Sequence, residues 1–253
     1  MRYRLPVGED DFAKVRQEYY FVDKSPFIRE FMDRHGAVML FARPRRFGKT
    51  LTLSMLRYFF DIDHAEENRQ LFDGLAIARD ADAMQEQGTR PVVFLTLREL
   101  KLTSWEKMEH GLRNLLSELF RSYVFLLADQ KLDPVDRENF EQIYRGEAAL
   151  VAEMNALELL LRLLAQHYGK KPILLLDEYD TPIQQGWQYG FYDSVVEFMR
   201  VLLTKALKTN PSLDFAVLTG VLRISKESIF SDLNNLQVDS VLDTNFPEAF
   251  GFT

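Results

Sequence analysis

The chain of 253 residues contains no cysteine, which excludes disulfides and thiolate metal sites. Nothing in it points to an oxidising compartment, so a cytoplasmic location is expected. Its four histidines, His35, His64, His110 and His167, are scattered without ligand spacing, which argues against a zinc centre. No Gly-x-Ser-x-Gly elbow occurs, so acyl transfer has no nucleophile to use. Long apolar runs are lacking too. The Leu-rich stretch 157–164 is broken by Glu158 and Arg162, well short of the roughly 18–20 apolar residues that a membrane span requires. Arg2 and Arg4 are not followed by the apolar segment of a secretory signal. Positive charge is in deficit. Against 31 Lys and Arg stand 38 Asp and Glu, a formal net charge of −7, which is a poor basis for a surface built to grip nucleic acid.

What remains is the composition of an ordinary folded protein, 47% hydrophobic and 27% charged, read here as one principal domain over residues 1–253. Nearly continuous apolar runs at 37–42, 91–97, 172–176 and 215–218 predict four strands buried on both faces, since a half-exposed strand would alternate. Apolar residues recurring at three and four predict helices at about 49–60, 104–128, 137–144, 147–168 and 192–208. Strands alternating with helices imply an α/β fold with a mostly parallel sheet flanked by helices. The stretch between the second and third strands, about 104–168, reads as a helical insertion at the edge of the sheet. Phe246, Phe250 and Phe252 crowd the last eight residues; termini are usually polar, so the expectation is a chain cut from something longer.

The chemistry concentrates in two strings. The first strand leads into Arg43-Pro44-Arg45-Arg46-Phe47-Gly48-Lys49-Thr50, and a helix opens there. This is the order of a P-loop, in which backbone N–H groups and a helix N-terminus cradle phosphates. Arg45, Arg46, Phe47, Gly48, Lys49, Thr50 and Leu51 are the candidate phosphate-binding residues. Lys49 suits the β and γ phosphates of ATP, and the Thr50 hydroxyl suits Mg²⁺. Arg43 stands where the usual pattern has its first glycine. The second string, Ile173-Leu174-Leu175-Leu176-Asp177-Glu178, is a buried strand ending in two acids. Asp177 is the candidate second Mg²⁺ partner, and Glu178 the candidate base for an attacking water. From the exit of the fourth strand, Thr219 is a candidate γ-phosphate or water sensor, and Arg223 a candidate cation.

Together these residues resemble the predicted AAA-ATPase-like family of bacteria and archaea. Besides the strings already quoted, the resemblance includes Tyr20-Phe21-Val22-Asp23-Lys24-Ser25, Tyr179-Asp180-Thr181-Pro182, Thr219-Gly220 with Arg223-Ile224-Ser225, Asn234-Asn235-Leu236 and Phe250-Gly251-Phe252-Thr253. In that family the loop usually reads Arg-Pro-Arg-Arg-Phe-Gly-Lys, so the resemblance removes most of the weight against Arg43. It also implies that Val22 and Asp23 lie near the base or sugar of the nucleotide. Proteins like this continue into a helical lid and often a C-terminal nuclease-like domain, which the resemblance makes a partner domain of the parent chain.

The expected function is an ATP-hydrolysing switch or motor module. The alternative is an interaction module that binds ATP and barely turns it over. A phosphotransferase would need an arginine-bearing lid that the sequence does not display, and GTP is disfavoured because no Asn-Lys-x-Asp base reader follows the third strand. The cluster of Arg43, Arg45, Arg46 and Lys49 also offers a nucleic-acid reading, but bound phosphates explain it with fewer assumptions.

Overall fold

The apolar runs form strands β1 (Val38–Ala42), β2 (Val92–Thr96), β3 (Ile173–Asp177) and β4 (Ala216–Gly220), and a further strand, β5 (Leu236–Ser240), joins them. The computed structural model describes residues 4–221, 229–230, 233–243, 246 and 249–251. Within them the sheet order is β2-β3-β4-β1-β5 and every pairing is parallel. All carboxyl ends therefore lie on one rim, and β4 separates β1 from β3.

Strand side chains alternate between the two faces of the sheet, and each face has its own core. Met39, Phe41, Leu175 and Val217 pack with α1 (Phe12–Glu18), α2 (Pro26–Arg34) and α3 (Lys49–Phe60). Beyond α3 the chain forms α4 (Ala65–Gln70), a 3₁₀ turn (Ala76–Arg79) and α5 (Ala81–Gln85) before entering β2. Leu40, Leu95, Leu174, Leu176 and Leu218 face the other way. They share a core with α6 (Trp105–Ser122), α7 (Pro134–Arg145), α9 (Ala156–Tyr168), α10 (Thr181–Tyr189) and α11 (Tyr192–Leu207). The short helix α8 (Leu150–Met154) precedes α9, and a 3₁₀ turn (Val124–Ala128) follows α6. Each Leu buried this way contributes about 1.5–3 kcal/mol relative to exposure.

The stretch between β2 and β3 is helical, and its apolar residues share the core that includes Leu40, Leu95 and Leu174. One detail differs from the sequence reading. The predicted helix 147–168 is two, α8 and α9, because Asn155 between them is non-helical at φ −99°, ψ 0°. The aromatic crowding near the C-terminus is core packing: Phe246 and Phe250 lie 5.4 and 4.9 Å from the ring of Phe41, centroid to centroid, and both also contact Phe27. Phe252 lies outside the described residues. No helix among the described residues is long and apolar enough to cross a membrane.

β5 is not legible in the sequence because Gln237 and Asp239 interrupt its apolar pattern, and the second of these explains Arg43. The Arg43 guanidinium is buried and does not face the phosphate loop. It forms an ion pair with the Asp239 carboxylate, donates to the Asp239 carbonyl at 2.7 Å and to the Ala42 carbonyl at 3.2 Å, and lies 5.0 Å from the Phe250 ring centroid. Asp239 itself is 1% exposed, and its Oδ2 has no hydrogen-bond partner among the described residues. Restoring the usual glycine would therefore strand a buried carboxylate. Arg43→Gly is expected to cost about 3–5 kcal/mol, lowering the thermal midpoint by roughly 10 °C for a chain of this size. Calorimetric unfolding of the two proteins checks it, and an unchanged midpoint would mean that the pair contributes nothing to docking β5.

Candidate nucleotide site

The parallel sheet brings the end of β1, the end of β3 and, between them, the end of β4 to the same rim. Gly48 caps α3 with φ 76°, and Arg46 two residues earlier has φ 68°. Glycine adopts this left-handed conformation without steric cost, whereas a residue with a Cβ held there costs on the order of 1–2 kcal/mol. That strain turns the loop so that it enters α3 sharply. No side chain caps α3 at Gly48, so the amides of its first turn remain available to an anion. Arg45, Arg46, Phe47 and Gly48 are exposed on this loop, and Leu51 is half-buried against the α3 side of the core.

Lys49 behaves differently from the exposed loop arginines. Its side chain is buried, and Nζ donates to the carbonyls of Arg43 and Pro44, both at 3.1 Å. Burial pulls its ammonium below the usual lysine range, while the nearby carboxylates of Glu178, Asp177 and Asp180 oppose the shift. The ammonium is thus weakly solvated and held on two neutral acceptors, which an anionic ligand would readily replace.

Asp177 is the centre of the rim. It is fully buried. Its Oδ1 accepts from Thr219 Oγ1 at 2.5 Å, and its Oδ2 from Thr50 Oγ1 at 2.9 Å and Thr96 Oγ1 at 3.3 Å. The carboxylate therefore joins β2, β3, β4 and the first turn of α3. Glu178 follows with φ 51°, an outlier for a side-chain-bearing residue and a marker of a constrained site. Its carbonyl accepts from Thr181 N at 3.0 Å and its Oε2 from Thr181 Oγ1 at 3.2 Å. The next residues lock this turn to the exit of β4. Tyr179 N donates to Thr219 O at 3.1 Å, and Asp180 Oδ2 accepts from Val221 N at 3.0 Å. Gly220 is required by that closeness, since a Cβ there would lie 2.6 Å from the Tyr179 ring and 2.8 Å from Asp180 Oδ1.

The remaining candidates divide. Thr219 is on the rim with its hydroxyl on Asp177. Arg223 lies outside the described residues. Val22 is exposed, while Asp23 holds its own loop: its two oxygens accept from Ser25 N at 2.9 Å and Ala76 N at 2.8 Å. Sequence reasoning missed Arg98, which reaches Thr50 and Asp177 from the segment after β2, and Asp10, which pairs with it. The available signal was positional: a basic residue two places beyond a buried strand stands on the rim where ligands of open α/β sheets bind.

Residues 6–230 match the family described as Predicted AAA-ATPase. The "Uncharacterized protein in vnfD 5'region" of Azotobacter chroococcum mcd 1 is 28% identical over 255 residues, an alignment that takes in 100% of this chain and 43% of that protein. The chain thus spans less than half the length of this relative. No solved structure matches it. With the match extending over most of the chain, and a helix-flanked parallel sheet of the P-loop NTPase kind beneath it, the chain belongs to the Predicted AAA-ATPase family, whose members bind nucleotide.

Proposed function

We propose that the rim binds ATP with Mg²⁺ and hydrolyses it to ADP and phosphate, so that the domain works as a nucleotide-driven switch or motor module. The observation that carries this reading is the 2.9 Å hydrogen bond between Thr50 Oγ1 and Asp177 Oδ2. A hydroxyl at a helix N-terminus and a buried carboxylate converging on one point is a donor set that suits Mg²⁺, which takes one or two protein oxygens and completes its shell with phosphates and water. When bound, the ion neutralises charge on the β and γ phosphates. Thr50 would ligate it directly, and Asp177, oriented by Thr219 and Thr96, would stand behind it.

The other roles follow from the groups already described. Lys49 exchanges two neutral carbonyls for phosphate oxygens. The amides from Arg45 to Leu51 line the phosphates. Glu178 takes the proton of the water that attacks the terminal phosphorus. Val22, and Arg223 in the segment after β4, are proposed at the base and the terminal phosphate respectively. A cytoplasmic location, and any downstream nuclease-like domain, belong to the same proposal. The second reading, a module that holds ATP with little turnover, is favoured by the engagement of Glu178: Thr181 occupies its Oε2 and Arg98 Nε stands 3.9 Å from its Oε1.

Two substitutions test these readings. Lys49→Ala should weaken ATP binding by roughly 10- to 100-fold, the scale of a lost charge-assisted hydrogen bond of about 1.5–3 kcal/mol; undiminished binding in titration calorimetry would remove the P-loop assignment. Glu178→Gln keeps size and hydrogen-bonding reach while deleting the base, so binding should persist while single-turnover hydrolysis falls by about 10²–10⁴. Equal rates for parent and variant would transfer the proposal to the binding-module reading.

A further inference from the structure

Arg98 lies outside both strings that define the site, yet its guanidinium is the cation at the centre of the rim. Nη2 donates to Thr50 Oγ1 at 2.7 Å and lies 3.6 Å from Asp177 Oδ2, Nε lies 3.9 Å from Glu178 Oε1, and Nη1 pairs with Asp10 Oδ2 at 2.6 Å. These partners come from the first turn of α3, the end of β3 and the segment before α1. Three of the four are the groups assigned above to the metal ion and the attacking water. A guanidinium only donates hydrogen bonds and never loses its charge in a protein. Arg98 therefore holds a positive charge at the place where the proposed reaction needs one.

We propose that Arg98 distinguishes ATP from ADP in this site, a step that rests on the P-loop reading. Arg98 at 2.7 Å on one lone pair of Thr50 Oγ1 and a metal ion on the other would set two cations side by side on one oxygen, so entry of Mg·nucleotide drives the guanidinium away from Thr50 and Asp177. Its side chain is 34% exposed, which leaves it room to move, and the Asp10 pair retains it beside the site. From that anchor its freed donors face the terminal phosphate, with a fork geometry that matches phosphate oxygens. ATP compensates the displaced arginine with its γ-phosphate oxygens; ADP displaces it and lacks them. Asp10 adjoins Asp11, the residue that caps α1 and accepts from Tyr58 of α3 at 3.0 Å, so the position of Arg98 is also felt by the N-terminal helix.

The test is titration calorimetry of the parent, Arg98→Ala and Arg98→Lys with Mg·ADP and with Mg and a non-hydrolysable ATP analogue, with Lys49→Ala alongside. The parent should prefer the analogue. Arg98→Ala should cut that preference by roughly tenfold, the loss of one charge-assisted contact, by weakening the analogue while leaving ADP unchanged or tighter; Arg98→Lys should keep part of it. Equal weakening of both ligands, or no change in either, overturns the proposal while a loss in Lys49→Ala still upholds the P-loop. A parent that binds neither ligand removes the P-loop reading itself and this inference with it. Should Arg98→Ala not fold, Asp10→Asn removes the anchor alone and should lower the same preference; an unaltered preference there counts against the proposal.

Discussion

The carboxylate of Asp177 is the constraint on which the rest of the site depends. It is fully buried at the end of a central strand, and a buried charge is tolerable only when its lone pairs are satisfied. Three threonine hydroxyls, from β2, β4 and α3, meet that need at 2.5–3.3 Å. Satisfying the acid thereby fixes the carboxyl ends of three neighbouring strands relative to the helix that follows the phosphate loop. The apolar strands set the sheet, and this acid sets the registration of the chemistry upon it.

The loop reaches its conformation without the first glycine of the common P-loop pattern because the work of that position is done elsewhere. Positive φ falls on Arg46 and Gly48, and the side chain of Arg43 leaves the loop altogether to join β1 to β5. The loop is held from its other side as well, since Gly251 N donates to Phe47 O at 3.0 Å, close to where Phe250 packs on Phe41. A segment distant in sequence thus braces the cradle. Basic residues in this string do two different things: Arg43 is a strand tie, while Arg45 and Arg46 stay exposed on the loop.

Strands β1, β3 and β4 are legible in the amino-acid sequence because they are buried throughout, and β2 because it is mostly so, and no polar residue interrupts Val38–Ala42 or Ile173–Leu176. The order strand, loop, Gly48-Lys49-Thr50 and later Asp177-Glu178 is local in sequence, and a parallel sheet then places both on one rim. What escapes such a reading is non-local. Asp239 reads as a surface residue until Arg43, 196 positions away, is seen to pair with it, and with it β5 disappears from the sequence pattern. Arg98 and Thr50 are 48 residues apart and meet only because α3 packs against β2 and β3 in the fold. Tertiary pairing of polar groups leaves no periodicity to read.

The central claim is that Thr50, Lys49 and Asp177 converge to hold the phosphates and cation of a nucleotide. A crystal structure of the protein with Mg²⁺ and a non-hydrolysable ATP analogue tests it most directly. The account predicts phosphate oxygens on the amides at the start of α3, the ion at about 2.0–2.1 Å from Thr50 Oγ1, and Lys49 Nζ moved from the Arg43 and Pro44 carbonyls to the phosphates. Nucleotide seated away from this rim, or bound there with no ion on Thr50 Oγ1 and Lys49 Nζ still on the Arg43 and Pro44 carbonyls, would contradict it.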